Sequence, residues 1–308
     1  MINWANTLVA VTGGNGFLGK CVVRQLLAKN ANVVVPEYDL RESRNAGRLC
    51  FEYRPDIIIH LAASVGGIGA NIEKPGSFFY DNVKMGVELM EAARRYGVSK
   101  FVQMGSACEY PRDAEMPLKE EDVWDGYPET SNAAYGVAKR ALLTMGQAYR
   151  DQYKMNVIHL LSTNLYGPGD NFGENSHFIP AAIRKFSEFR EGDDTIELWG
   201  SGNATRDFLY VEDAAEAIVL ATEHYNSREP VNLGSGREVK ISEVAQKIAW
   251  LSGYEGKIVW NKSRPDGQPR RVLDTSKALQ FGWEASTLLE AGLSRTISWY
   301  NAKSRSAR

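Results

Sequence analysis

The chain begins with an alternation of two apolar patterns. Short, nearly unbroken apolar runs at residues 7–12, 32–35, 56–61, 101–104 and 157–161 predict buried strands. The stretches between them carry apolar residues three and four apart. Leu18, Val22, Val23, Leu26 and Leu27 predict a helix over 16–29. Val83, Val87, Leu89, Met90 and Ala93 predict another, which follows Pro75 and stops at Gly97. A third helix is expected over 132–153. Strands alternating with helices imply a parallel sheet covered on both faces, so the expected fold class is α/β and doubly wound.

Beyond residue 163 the texture changes. The stretch Asn164-Leu165-Tyr166-Gly167-Pro168-Gly169-Asp170-Asn171 is rich in turn formers, and later elements are shorter. Helices are expected over 179–189, 211–224, 242–251 and 288–300, with short strands at 196–199, 230–233 and 257–260. The expected organisation is a first domain over 1–163 and a smaller mixed α/β lobe over 164–308, some of whose segments return to the first. No internal repeat is visible.

Composition narrows the classes of partner. With 36 Lys and Arg against 38 Asp and Glu in 308 residues, the net charge of −2 gives no reason to expect a nucleic acid. No apolar run approaches the roughly 20 residues that span a bilayer, and the first residues lack a secretory pattern, so a soluble cytoplasmic protein is expected. Cys21, Cys50 and Cys108 are widely spaced and odd in number. They form neither a disulfide framework nor a zinc pattern, and no metal is expected.

Candidate chemistry sits where the predicted strands end. The first is followed at once by Gly13-Gly14-Asn15-Gly16-Phe17-Leu18-Gly19. Strand, glycine turn and helix together set backbone N–H groups and a helix N-terminus against a pyrophosphate, which makes the expected sheet Rossmann-type. A glycine-rich tight turn is the plainer reading of that motif alone. The second strand leads to Glu37 and Asp39, but also to Arg41 and Arg44. An acid there suits a free ribose 2′-hydroxyl and an Arg suits a 2′-phosphate, so NADP(H) and NAD(H) both stay open.

The stretch 105–139 is the chemical centre. It opens with Gly105-Ser106-Ala107-Cys108-Glu109-Tyr110-Pro111 after the fourth strand and closes with Tyr135 and Lys139 at the start of a helix. Residues four apart share a helix face, so an ammonium at Lys139 is expected to lower the Tyr135 pKa from about 10 and make it a usable acid. A chance pairing is common in a chain with 14 tyrosines. Ser106, able to bond the same substrate oxygen, shifts the balance toward function.

With Gly13-x-x-Gly16-x-x-Gly19, Ser106 and Tyr135-x-x-x-Lys139, the chain resembles the extended short-chain dehydrogenases/reductases, which act on nucleotide sugars. Further stretches are similar to the branch that converts GDP-4-keto-6-deoxymannose to GDP-L-fucose. They include residues 60–68, 105–111, 164–172, Asn175-Ser176-His177-Phe178-Ile179-Pro180 and Pro265-Asp266-Gly267-Gln268-Pro269-Arg270. The resemblance implies epimerisation at C3 and C5 by Cys108 and His177, then NADPH-dependent reduction at C4 with Ser106, Tyr135 and Lys139. It implies a dinucleotide held by Gly13, Gly14, Asn15, Gly16, Phe17, Leu18 and Gly19 on one side. Asp39, Leu40, Arg41, Leu61, Ala62, Ala63, Lys139, Asn164, Leu165 and His177 complete that set. It implies Lys185, Trp199, Arg206 and Asp266 on the GDP-sugar, and a homodimer. Outside these motifs Cys108 reads as core filler, His177 as a helix cap, Trp199 as core, and Lys185 and Arg206 as surface cations.

Asn15 stands where some members of the branch carry a basic residue, the loop after the second strand lacks an early Arg, and Glu109 is a charge where an apolar residue is typical. The nearest alternative is an NAD-dependent GDP-sugar 3,5-epimerase, which resembles this chain at Ser106 and Cys108 but has Lys in place of His177. A related 4-keto sugar reductase is another. A non-catalytic dinucleotide sensor is a third, disfavoured because Tyr135 and Lys139 are both present.

Overall fold

Six parallel strands form the central sheet of the computed structural model, which describes residues 2–174, 176–189 and 194–306. Met1 and Asn175, the first residue of the Asn-Ser-His motif, lie outside them. The chain runs through β1 (Leu8–Thr12), α1 (Phe17–Ala28), β2 (Asn32–Val34), α2 (Ser43–Tyr53) and β3 (Ile57–His60). It continues with α3 (Ile68–Glu73), α4 (Pro75–Arg95), β4 (Lys100–Ser106), α5 (Ala133–Tyr153) and β5 (Asn156–Ser162). The strand order is β2-β1-β3-β4-β5, closed at the far edge by β10 (Val231–Leu233). The order reverses between β1 and β3, and a ligand crevice opens at such a switch point.

Strand alternation divides the apolar residues between two helical layers. Val9, Val11, Ile57, Ile59, Val102, Met104, Ile158 and Leu160 pack on α1 and on α7 (Val211–His224). Ala10, Ile58, Phe101 and Val157 face the layer of α2, α4 and α5. Burial on both faces is why these strands read as continuous apolar runs.

A second core gathers residues between 166 and 300. It is built from β6 (Asn164–Tyr166), α6 (Phe178–Ser187), β7 (Thr195–Trp199), β8 (Thr205–Arg206) and β9 (Phe208–Tyr210). After β10 come β11 (Val239–Lys240), α8 (Ile241–Leu251), β12 (Lys257–Asn261), α9 (Ser276–Leu279) and α10 (Leu289–Ser306). Three small two-stranded sheets, β6-β9, β7-β12 and β8-β11, hold it together.

Several segments of the second half belong to the first core, among them residues 278–285 through Ala278, Phe281, Trp283 and Ala285. The strand expected at 230–233 is the edge of the main sheet, parallel to β5, and the helix expected at 211–224 packs against α1. The helix α2 was not expected from the sequence pattern. Ala46, Leu49 and Cys50 form its buried stripe, but Arg44, Arg48 and Glu52 mask it. Among the described residues, no helix is long and apolar enough to cross a membrane.

Candidate active site

A cleft of about 1510 Å³ runs between the carboxyl ends of the main sheet and the second core. At its base β1 turns through Gly13, whose φ of +71° lies in the left-handed region. A Cβ there would stand 2.9 Å from the Ala62 amide nitrogen, and one on Gly19 would overlap the Gly13 carbonyl. The first turn of α1 opens at Gly16 with no side-chain cap and no acidic residue. Its free N–H groups and the helix dipole suit a pyrophosphate, so a dinucleotide fits this end.

Gly13, Asn15, Gly16, Phe17, Leu18 and Gly19 border the cleft, as do Leu61, Ala62 and Ala63. Gly14 does not: it faces the Val35 side chain and donates its amide to the Val11 carbonyl at 3.3 Å. Asp39, Leu40 and Arg41 line one rim. Asn164 and Leu165 line the floor, and the Asn164 amide donates to the Asp207 carbonyl at 3.0 Å.

The chemical centre is assembled where β4 meets α5. A Cβ on Gly136 would overlap the Cys108 carbonyl, so glycine lets the helix lie directly on the loop after Ser106. Tyr135, Lys139, Ser106 and Cys108 thereby share one wall. The Ser106 hydroxyl accepts the Cys108 amide at 3.2 Å. Burial, then the Cys108 and Glu109 charges, push the Tyr135 phenol well above its ordinary range, with the Ser106 hydroxyl opposing. This corrects the expectation that Lys139 lowers the Tyr135 pKa. The Lys139 ammonium donates to the Met104 carbonyl at 2.9 Å and stands 5.8 Å from the Tyr135 ring centre. Its own pKa falls to about 8 because burial disfavours the cation, with Glu109 opposing. Desolvation outweighs the pairing that spacing alone suggests.

His177 borders the same cleft at the N-terminus of α6, and its side chain makes no capping bond. The residue as a whole is exposed, yet the groups packed around the ring push its pKa below the usual imidazole range by desolvation. Lys185, Trp199, Arg206 and Asp266 border the same cleft. The Lys185 ammonium donates to the Glu197 carbonyl at 2.6 Å, and Arg264 lies 4.6 Å over the Trp199 ring. Burial and the neighbouring Arg271 lower the Arg206 pKa to about 10. One Asp266 oxygen accepts the Ser201 amide at 2.6 Å, so it braces the turn after Trp199.

Three groups escape sequence reasoning. Arg271 donates to the Cys108 sulfur at 3.4 Å and to Gln268 at 3.0 Å. Asp170 borders the cleft with one carboxyl oxygen unpartnered among the described residues, and burial raises its pKa to about 7. In a glycine- and proline-rich stretch it reads only as a turn former. Glu109, the unexplained charge, is fully buried. Its carboxyl accepts the Ser106 amide at 2.8 Å and meets His159 Nε2 at 3.0 Å. Arg140 donates to its backbone carbonyl. Among the described residues, no cluster of metal-binding side chains is present.

Comparison with known proteins agrees with this geometry. The chain is 40% identical to a GDP-L-fucose synthase of Sinorhizobium fredii over 291 residues, 93% of each chain. A GDP-L-fucose synthetase of Naegleria fowleri bound to NADP superposes with a TM-score of 0.87 at 29% identity, over 97% of this chain and 95% of that one. A GDP-6-OMe-4-keto-L-xylo-heptose reductase of C. jejuni gives a TM-score of 0.91 at 26% identity, over 97% and 99%. Residues 9–234 match the family described as NAD dependent epimerase/dehydratase, and the chain belongs to that family.

Proposed function

We propose that this chain converts GDP-4-keto-6-deoxymannose to GDP-L-fucose, by epimerisation at C3 and C5 followed by reduction at C4. One observation carries the reading: Cys108, from the loop after β4, and His177, from the start of α6, border the same cleft as Ser106 and Tyr135. A carbonyl at C4 acidifies both neighbouring carbons. Cys108, with the Arg271 guanidinium against its sulfur, removes a proton, and His177 returns one on the other face. Ser106 and Tyr135 hold the enolate oxygen between the two transfers. A bound NADPH supplies the hydride that reduces C4. Tyr135, kept protonated by its burial, gives its proton to the resulting alkoxide, and Lys139 orients the nicotinamide ribose.

Lys185, Arg206 and Trp199 take the GDP portion, the cations on the diphosphate and the indole stacked on a ring. The other oxygen of Asp266 accepts a sugar hydroxyl. The first domain, over 1–163, carries the dinucleotide, and most of 164–308 carries the sugar. The protein works in the cytoplasm as a homodimer. Tyr149 of α5 bonds Glu91 of α4, and Tyr80, Val87 and Tyr153 stand exposed on these two helices. Pairing them across a two-fold axis removes that apolar surface from water.

The test is turnover of GDP-4-keto-6-deoxymannose with NADPH in deuterated water. The expected product is GDP-L-fucose with deuterium at C3 and C5, and Cys108→Ser abolishes the label without weakening NADPH binding. Unlabelled product, or GDP-rhamnose, defeats the roles given to Cys108 and His177. That outcome is also the one expected of a simple 4-keto reductase, the reading favoured by the fit to the C. jejuni protein.

A further inference from the structure

Glu109 takes no part in the transfers above, yet its side chain is fully buried behind the wall that performs them. A charge at this position stands out in the sequence, and burial makes it costly unless it is paired and hydrogen-bonded. Both carboxyl oxygens face His159 Nε2, at 3.0 and 3.1 Å, and one also accepts the Ser106 amide at 2.8 Å. With the Ser106 hydroxyl on the Cys108 amide, this closes a capping box around the short turn that carries both residues. Gly105 makes room for the pair, since a Cβ there would overlap His159 Nε2 and the Glu109 carboxyl.

The same carboxylate lies within reach of α5. Arg140 donates from Nε to the Glu109 carbonyl at 3.0 Å. Lys139 ends on the carbonyl of Met104, the residue before Gly105, so ammonium and carboxylate both lie beside that glycine. Hydride transfer to C4 leaves an alkoxide, and the proton that quenches it leaves a Tyr135 phenolate. A cation in this wall stabilises either anion. Burial works against the Lys139 cation and lowers its pKa to about 8, while the Glu109 charge opposes the fall. Glu109 also disfavours the phenolate directly, so the two effects pull apart and pH separates them. The other groups around the two are His60 on β3, His159 on β5, Cys108 and Tyr110 on the turn, and Tyr135 and Arg140 on α5. His60 is held neutral down to about pH 3, and both phenols are pushed up by burial.

We propose that Glu109, clamped by His159, is a positioning residue for the reduction: its carboxylate fixes the Ser106 backbone and keeps Lys139 cationic in the wall it shares with Tyr135. This rests on the reductase reading of the cleft and adds to it a charge from outside the groups that touch the substrate.

Carbon-13 NMR of lysine Cε in the intact, lysine-labelled protein follows Lys139 directly, its signal assigned by its loss in Lys139→Arg. Glu109→Gln keeps an acceptor for the Ser106 amide and is expected to move that titration down by about one pH unit. His159→Gln keeps a donor to the carboxylate and is expected not to lower it. A Cys108→Ser background, which removes the neighbouring thiol, is expected to give the same shift. The second measurement is the rate of NADPH-dependent reduction of GDP-4-keto-6-deoxymannose, as the ratio of Glu109→Gln to the unaltered protein. It is expected to fall about fivefold between pH 6.5 and 8.5, as the shifted titration requires, whereas a merely structural glutamate leaves the ratio independent of pH. A Lys139 titration unmoved by Glu109→Gln, or lowered as far by His159→Gln, overturns the proposal, and so does a flat ratio. No reduction by the unaltered protein, with Lys139 still shifted, defeats the reductase reading and leaves the Glu109–Lys139 coupling standing.

Discussion

Replacing Glu109 with leucine probes the support behind the chemical centre. The side chain is wholly buried, and that of its partner His159 is 3% exposed, so water replaces neither lost bond. Leucine leaves the Ser106 amide without the acceptor it has at 2.8 Å. It also leaves His159 with no partner on either ring nitrogen, since Nδ1 already has none among the described residues. Each buried polar group so orphaned costs about 1–3 kcal/mol, which sums to about 2–6 kcal/mol. That is a large share of the 5–15 kcal/mol typical of a folded domain. Glu109→Gln retains one acceptor oxygen, so it loses one bond and about half as much. In the double variant Glu109→Leu/His159→Leu no polar group faces the gap except the Ser106 amide, and much of the loss returns. Urea unfolding followed by tryptophan fluorescence measures all three. A loss below about 1 kcal/mol for Glu109→Leu, or a double variant no more stable than the single, refutes the argument.

Two further outcomes are expected. Arg271→Met removes the cation against the Cys108 sulfur and should slow alkylation of the protein by iodoacetamide about tenfold at pH 7.5, the scale of a charge-assisted bond. Cys21 and Cys50 stay silent in this assay, because burial, with Glu212 adding at Cys21, raises their pKa values to about 11 and about 12; an unchanged rate refutes the contact. His60, buried beside Thr12, has its pKa held down at about 3 by burial and by Lys139. Between about 6.5 and 3 the unfolded chain binds a proton that the folded chain does not, so stability falls as pH falls through that window. His60→Gln should flatten that part of the urea midpoint profile between pH 6.5 and 4, and an unchanged slope would count against it.

Much of the fold was legible because burial on both faces leaves a continuous apolar run in each strand of the main sheet. The glycine turn was legible for a related reason. Gly13 and Gly19 stand where a side chain has no room, and such positions leave a mark in the sequence. The helix α2 was harder to see, since three charged residues interrupt a stripe that only the packed layer makes plain. A return of some later segments to the first core was expected, but that β10 and α7 are among them was not legible. Parallel pairing joins residues far apart in the chain, and nothing local in Val231–Leu233 records that β5 is its neighbour.

The active-site residue types and their order along the chain were set by the sequence itself: a hydroxyl and a thiol after one strand, a phenol and an amine one helical turn apart, an imidazole before a later helix. Their electrostatics were decided only by packing. Lys139 turns to the Met104 carbonyl, and burial outweighs its charge at Tyr135, so the phenol is held as an acid rather than eased toward phenolate. Glu109 finds His159 fifty residues away, and Arg271 crosses to Cys108 from the second half of the chain. Spacing along a chain fixes which side chains share a helix face. Desolvation and charge depend on what lies around them in three dimensions, and that is a property of the whole fold.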